Sequence, residues 1–362
     1  MCIRDRTDYD EVAGWAGMIE EVVRENRMPP WHADAPQGHF KNDIRLTTEE
    51  KNLIYKWVAA GAPEGDKSKL PEPKQFIDGW AIGKPDQIIK MRKRPFEVKA
   101  TGTIDYKYFR VDPGFEKDMW VKAAECRPGN RSVVHHIIVG IAGQGEFGGR
   151  RRGVHGRPES EWVSATAPGA PPTIFPPGYA KRIPAGSKLI FQMHYTPNGT
   201  ATSDLSQIGL VFADPSEVKH EVLTQMVVYE RLRIRPGDSD YRVNASKRFD
   251  QDVELLSMFP HMHYRGKSFK YYVKQPGHEY EELLNVPNYD FNWQNSYDLA
   301  ETIVLRKGAK MRCSAVFDNS DKNLANPDPK QLVRWGDQTD DEMMIGYFNV
   351  AIPANQKKEL EP

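Results

Sequence analysis

Lys188-Leu189-Ile190-Phe191-Gln192-Met193-His194-Tyr195 is a short apolar and aromatic run, and it reads as a single strand. Comparable runs follow at Gln225–Ile234, Val253–Phe259, Ser268–Val273 and Met311–Phe317, each set between Gly and Pro turn signals. From about residue 85 this texture is continuous, and many short strands between turns predict antiparallel β-sandwiches. The stretch Gly140–Gly178, rich in Gly, Arg and Pro, is expected to be a long surface excursion.

Three of the strand-like segments carry histidine: Val133-Val134-His135-His136-Ile137-Ile138, Phe191–Tyr195 and Phe259-Pro260-His261-Met262-His263-Tyr264. Five of the 10 histidines thus sit in apolar runs, where an imidazole loses hydration and needs a partner. A single one is ordinarily a core histidine bonded to a carboxylate or carbonyl. Five in three strands favour a metal, since no acidic residue lies close in sequence to His135, His136 or His194 and imidazole clusters suit Zn, Cu, Fe or Ni. His261 and His263 are two apart, so one strand would present both on one face, with Cα atoms about 6.5 Å apart. His135 and His136 are adjacent, and an ideal strand sends them to opposite faces. They could share an ion only through local twist or through use of different ring nitrogens, with His194 as the third ligand.

The chain has 362 residues, 39% hydrophobic and 28% charged, which fits a globular protein with more than one domain. Lys+Arg and Asp+Glu both number 50, so charge gives no reason to expect nucleic acid or an anionic membrane as partner. No apolar run approaches the roughly 18 residues of a membrane span. The 3 cysteines are too few for a disulfide scaffold and leave one bridge, Cys126–Cys313, open.

The N-terminal part reads as helical. Val12, Trp15, Ile19, Val22 and Val23 recur at helical spacing, and Thr47-Thr48-Glu49-Glu50 is a capping box for a second helix burying Leu53, Ile54, Trp57 and Val58. Pro71-Glu72-Pro73 opens an exposed linker. Met1-Cys2-Ile3-Arg4-Asp5-Arg6 is no signal peptide; it resembles a leader translated from a sequencing adaptor, so the natural chain is expected to begin upstream.

Taken in order, His-His, x-Q-x-H-Y, H-x-H followed by x-x-Gly-Lys, and Glu-Met near the end resemble the copper type II, ascorbate-dependent monooxygenases over roughly residues 95 to 357. These are the relatives of peptidylglycine α-hydroxylating and dopamine β-monooxygenase. The resemblance implies a mainly β fold of two jelly-roll-like antiparallel sandwiches, 91–215 and 216–357, each holding one copper. His135, His136 and His194 would hold the electron-transfer copper; His261, His263 and Met343 would hold the copper that meets O2, with Tyr347 matching the family tyrosine. It further implies insertion of one oxygen of O2 into a substrate C–H bond, the other leaving as water. Ascorbate or another donor would supply the electrons. A thioether suits Cu(I), although a methionine in an apolar strand is ordinarily core, and Met311 and Met344 compete with Met343.

The chain also departs from the family. The cysteine expected after the ligand methionine is Met344, which deprives Cys313 of its partner. The arginine with which peptide-amidating members receive a carboxylate is Phe259, and the family asparagine is Ile345. A buried carboxylate needs a paired cation, so a neutral or aromatic small molecule is the expected substrate.

Residues 7–65, with Met28-Pro29-Pro30-Trp31 and Trp57-Val58-Ala59-Ala60-Gly61-Ala62-Pro63, resemble the C-terminal part of a bacterial c-type cytochrome, joined by a linker at 66–90. Met28 would then be the axial sulfur ligand of a haem c carried only by the intact longer protein, because the C-x-x-C-H motif is absent. The two modules together imply a periplasmic or secreted protein. A copper electron-transfer protein without hydroxylase activity, and a zinc site on the same histidines, are the competing readings.

Overall fold

The structure, a computed structural model, describes residues 8–70, 72, 79–142, 159–160, 162–166 and 171–354. It is mainly β, with a small helical part at the N-terminus. The opening run is a strand with the expected bounds, Lys188–Tyr195. Its alternation is the reason: Leu189, Phe191, Met193 and Tyr195 are buried at 0% to 2% exposure, while Gln192 and His194 are half-buried on the other face. It lies between Lys107–Val111 and Val134–Ala142, with Trp162–Thr166 outermost. A second layer of Gln87–Lys90, Gln207–Phe212, Met119–Arg127 and Tyr179–Ile183 covers the apolar face, and Val121, Ile137, Val139, Ile208 and Leu210 fill the space between.

The other sandwich has one layer of His220–Val228, Ile345–Pro353, Val253–His261 and Tyr297–Leu305, and another of Tyr241–Arg248, Lys310–Phe317, Gly266–Lys274 and Tyr280–Val286. The layers meet closely at Gly346, where an added Cβ would run into the Cys313 thiol and the Tyr271 ring. Parallel pairing of His220-Glu221 with Tyr179-Ala180 joins the two sandwiches through one continuous sheet.

The described residues within 1–32 and 42–78 form one compact unit, and those within 33–41 and 79–362 the other. The helices Tyr9–Gly14, Ala16–Arg24 and Thr48–Ala59 belong to the first. The capping box is present: Glu50 N–H donates to Thr47 Oγ1 at 3.1 Å and Thr47 N–H to Glu50 Oε2 at 2.7 Å. Leu53, expected in the buried face, is 66% exposed, because the half-buried stripe runs through Ile54, Trp57 and Val58 instead. The segment 33–41 packs with the β unit, where Phe40 is 2% exposed and bridges to Leu299. No helix among the described residues is long and apolar enough to cross a membrane.

Two expectations are corrected. The bridge left open between Cys126 and Cys313 is not formed: both are buried free thiols, on strands of different sandwiches. The Gly140–Gly178 stretch is not all loop: it contains the strands Trp162–Thr166 and Thr173–Ile174, while 143–158, 161 and 167–170 lie outside the described residues.

Candidate metal centres

His135, His136 and His194 converge, each offering a ring nitrogen within 4.8 Å of the others. A β-bulge makes this geometry available. His194 pairs with His136, but the next residue, Tyr195, pairs with Val134, so His135 is an extra residue in its strand. Such a bulge re-aims side chains and breaks strict alternation, bringing adjacent histidines to one side. His136 Nε2 lies 3.4 Å from Gln192 Oε1, and Gln192 Nε2 in turn donates to Tyr108 Oη at 3.0 Å. An amide oxygen can only accept, so the His136 Nδ1 carries the lone pair. The Nδ1 atoms of His135 and His194 are buried with no hydrogen-bond partner among the described residues. Unpartnered buried imidazole nitrogens in a cluster of three neutral rings are the chemistry of a soft or borderline cation site, and copper fits it.

Burial lowers the affinity of these rings for protons, and their mutual repulsion adds to it. His194 falls to about 4 and His136 lies well below its ordinary value. All are therefore neutral at pH 7, the form that ligates metal. Tyr106 packs against His136 and His194, at 5.3 and 4.8 Å between ring centroids, and bonds to Thr339 from the other sandwich.

His261 and His263 leave one face as the period of two requires, with Met262 between them fully buried on the other side. Their rings stand 5.2 Å apart. His261 Nδ1–H donates to Gln294 Oε1 at 2.7 Å, and His263 Nδ1–H to the Asp341 carbonyl at 3.2 Å. In these tautomers the lone pair of each ring is on Nε2. Burial brings His263 down to about 3. Met343, 7% exposed, packs with Met226, Ile345 and Tyr347, and Ile345 is the strand partner of His261. Met311 belongs to the core strand Lys310–Phe317, and Met344, fully buried, receives the Tyr229 N–H on its carbonyl. Tyr347 lies 6.4 Å from His261, ring to ring. Met28 belongs to the separate helical unit, half-buried after helix Ala16–Arg24.

Several site residues were not legible in the sequence. Phe291 lies flat against His135 (5.7 Å, 7°) and edge-on to His263 (6.0 Å, 86°), touching both centres. Trp162 reaches from the first sandwich to Tyr347 (4.3 Å) and Phe259 (6.4 Å). Gln294, buried, holds the His261 tautomer while its own Nε2 donates to the Phe291 carbonyl at 3.2 Å. If His261 and His263 hold a metal ion, Gln294→Leu is expected to weaken its binding there by roughly 10- to 100-fold, the usual cost of losing a partner of a ligating histidine. Competition with a chromophoric chelator measures it, and unchanged affinity would show the bond to be incidental.

Residues 221–358 match the family described as copper type II ascorbate-dependent monooxygenase, C-terminal domain. No curated protein matches the chain. Among solved structures, an allantoicase is similar at 8% identity over 62% of this chain and 81% of that one, with TM-score 0.18. The allantoicase of Saccharomyces cerevisiae gives 8%, 62%, 80% and 0.17, and infectious bursal disease virus Gt strain 6%, 74%, 71% and 0.21.

Proposed function

We propose, from the premise that residues 221–358 are the C-terminal domain of a copper type II ascorbate-dependent monooxygenase, that this chain hydroxylates a small molecule using two copper ions, O2 and an external reductant such as ascorbate. The observation that carries the reading is the pair of histidine sets, one with orphaned buried Nδ1 atoms among three clustered ring nitrogens and one with both Nδ1 atoms engaged by Gln294 and the Asp341 carbonyl. Copper, when bound, supplies the one-electron and O2 chemistry. The chain's own part is to keep the six ligand candidates His135, His136, His194, His261, His263 and Met343 dry, neutral and aimed.

Trp162, Phe259 and Tyr347 would form the substrate wall beside His261. The wall is aromatic and uncharged, which suits a neutral aromatic substrate better than a carboxylate. It is anchored from beneath. The buried Lys181 ammonium donates to the Trp162 carbonyl and to Thr224 Oγ1; Thr224 bonds Asn349 at 2.7 Å, and Asn349 bonds Ser257 at 2.9 Å. Trp162→Ala should raise KM for an aromatic substrate about tenfold with kcat changed much less, since it removes a stacking surface and no ligand. Equal loss in kcat would argue against a binding role.

The first test is copper content and EPR of protein reconstituted with Cu(II), followed by O2 uptake coupled to a hydroxylated product. The 4.3 Å contact of Trp162 with Tyr347 closes the wall on itself and favours a second reading, a copper electron-transfer protein. Two coppers without coupled O2 uptake would select it. We further propose a periplasmic or secreted setting, and an axial-ligand role for Met28 only in a chain bearing C-x-x-C-H.

A further inference from the structure

Glu342 is fully buried, at 0% exposure, between Asp341 and Met343. All the acceptor bonds of its carboxylate go to main-chain N–H groups: His263 at 2.9 Å and Met343 at 3.2 Å on Oε2, and Arg265 at 2.6 Å on Oε1. Those donors belong to the two segments that carry the candidate ligands. The ladder between Val253–His261 and Ile345–Pro353 ends at the His261–Ile345 pair. Beyond it, no described backbone hydrogen bond joins 262–265 to 341–344. The carboxylate takes over where the ladder stops. Its counter-charge is Arg265, also fully buried, whose guanidinium donates to Asn319 Oδ1 at 2.9 Å and to the Asp340 carbonyl at 2.8 Å. A buried carboxylate and guanidinium cost much desolvation, and hydrophobic residues would close an ordinary core more cheaply. Charge at this place has a use other than bulk stability.

We propose that Glu342 is a positioning residue for the His261–His263–Met343 centre: by clamping the amides of His263, Arg265 and Met343 it sets the H-x-H imidazoles against the thioether. The inference rests on the copper reading of that centre. Glu342→Gln keeps the volume but replaces one acceptor oxygen by an NH2 that must face an amide N–H, so the clamp loses at least one of its three bonds. Glu342→Asp keeps the charge and shortens the reach.

The test uses the full chain. Cu(I) affinity at each centre is read by chelator competition, the Cu–S shell by X-ray absorption, and exchange of the 263, 265 and 343 amides by hydrogen–deuterium exchange on metal-free protein. For Glu342→Gln the expected result is a fall of at least about tenfold in Cu(I) affinity at the His261–His263 centre. The Cu–S shell is lost and the three amides exchange faster, while the His135–His136–His194 centre keeps its affinity. Glu342→Asp should fall between Gln and wild type. Unchanged affinity with an intact sulfur shell overturns the proposal. So does equal weakening of both centres, or unfolding of both variants, since either makes Glu342 a general core residue. A wild-type protein without a sulfur shell overturns the copper assignment of Met343 and the clamp with it, and wild type alone reveals that.

Discussion

On the two-copper reading proposed above, His263→Ala is expected to abolish O2-dependent hydroxylation and to lower copper from two ions to one, with the remaining ion on His135, His136 and His194. His263 is 1% exposed and its Nδ1–H is already given to the Asp341 carbonyl, so its only free function is the Nε2 lone pair. Alanine removes that lone pair and leaves a hole that neither His261 nor Met343 can fill. His194→Ala is the mirror experiment. It should empty the three-histidine centre, keep the other metallated and slow re-reduction. Phe291 touches both His135 and His263, so each loss is expected to be felt at the other as a small spectral change and not as loss of metal. If either variant loses both ions, the histidines form one joint site and the division proposed above is wrong. Copper analysis with EPR on both variants decides it.

How much of this was legible depended on range along the chain. His261 and His263 could be paired from sequence because a period of two is a local property of a strand. The adjacent His135 and His136 could not, because their convergence depends on a bulge against His194, 58 residues on, that no local pattern announces. Trp162 was hidden in a Gly-, Arg- and Pro-rich stretch that reads as loop; its strand exists because it pairs with Ile137–Gly140 across a long gap in sequence. Gln294 and Phe291 carry no motif at all. They reach the histidines because the segment after Tyr280–Val286 passes over the strand end, and only the folded chain shows that a loop amide fixes the His261 tautomer. Leu53 erred the other way: helical spacing predicts a face, and which edge of the face is covered depends on packing.

Acid should destabilise the metal-free protein through these same imidazoles. An unfolded histidine titrates near 6.5, whereas burial brings folded His194 to about 4 and His263 to about 3, and lowers His136 and His135 as well. Below pH 6.5 the unfolded chain therefore binds protons that the folded one refuses, so stability is full above that value and falls as pH drops toward 4. Glu342 works in the opposite sense. Burial raises its carboxyl while the His263, Arg265 and Met343 N–H groups and the Arg265 charge pull it back down, so wherever the folded state keeps the extra proton stability declines as pH rises. Several imidazoles outweigh one carboxyl between pH 6.5 and 4, and the net slope there should be upward with pH, each proton of difference being worth about 1.4 kcal/mol per pH unit. The half-buried His135, His136 and His194 are discounted for solvent screening relative to His263, which is 1% exposed. Copper on the proposed ligands would occupy the lone pairs that acid protonates, so the loaded protein should hold its stability to lower pH and then lose metal and fold together. Urea unfolding of metal-free and copper-loaded protein at pH 4.5, 5.5, 6.5 and 7.5 reads both slopes. A metal-free stability that is flat or rises as pH falls from 6.5 to 4.5 would mean the histidines are not buried neutral, and the candidate centres would lose the property that prepares them for a metal.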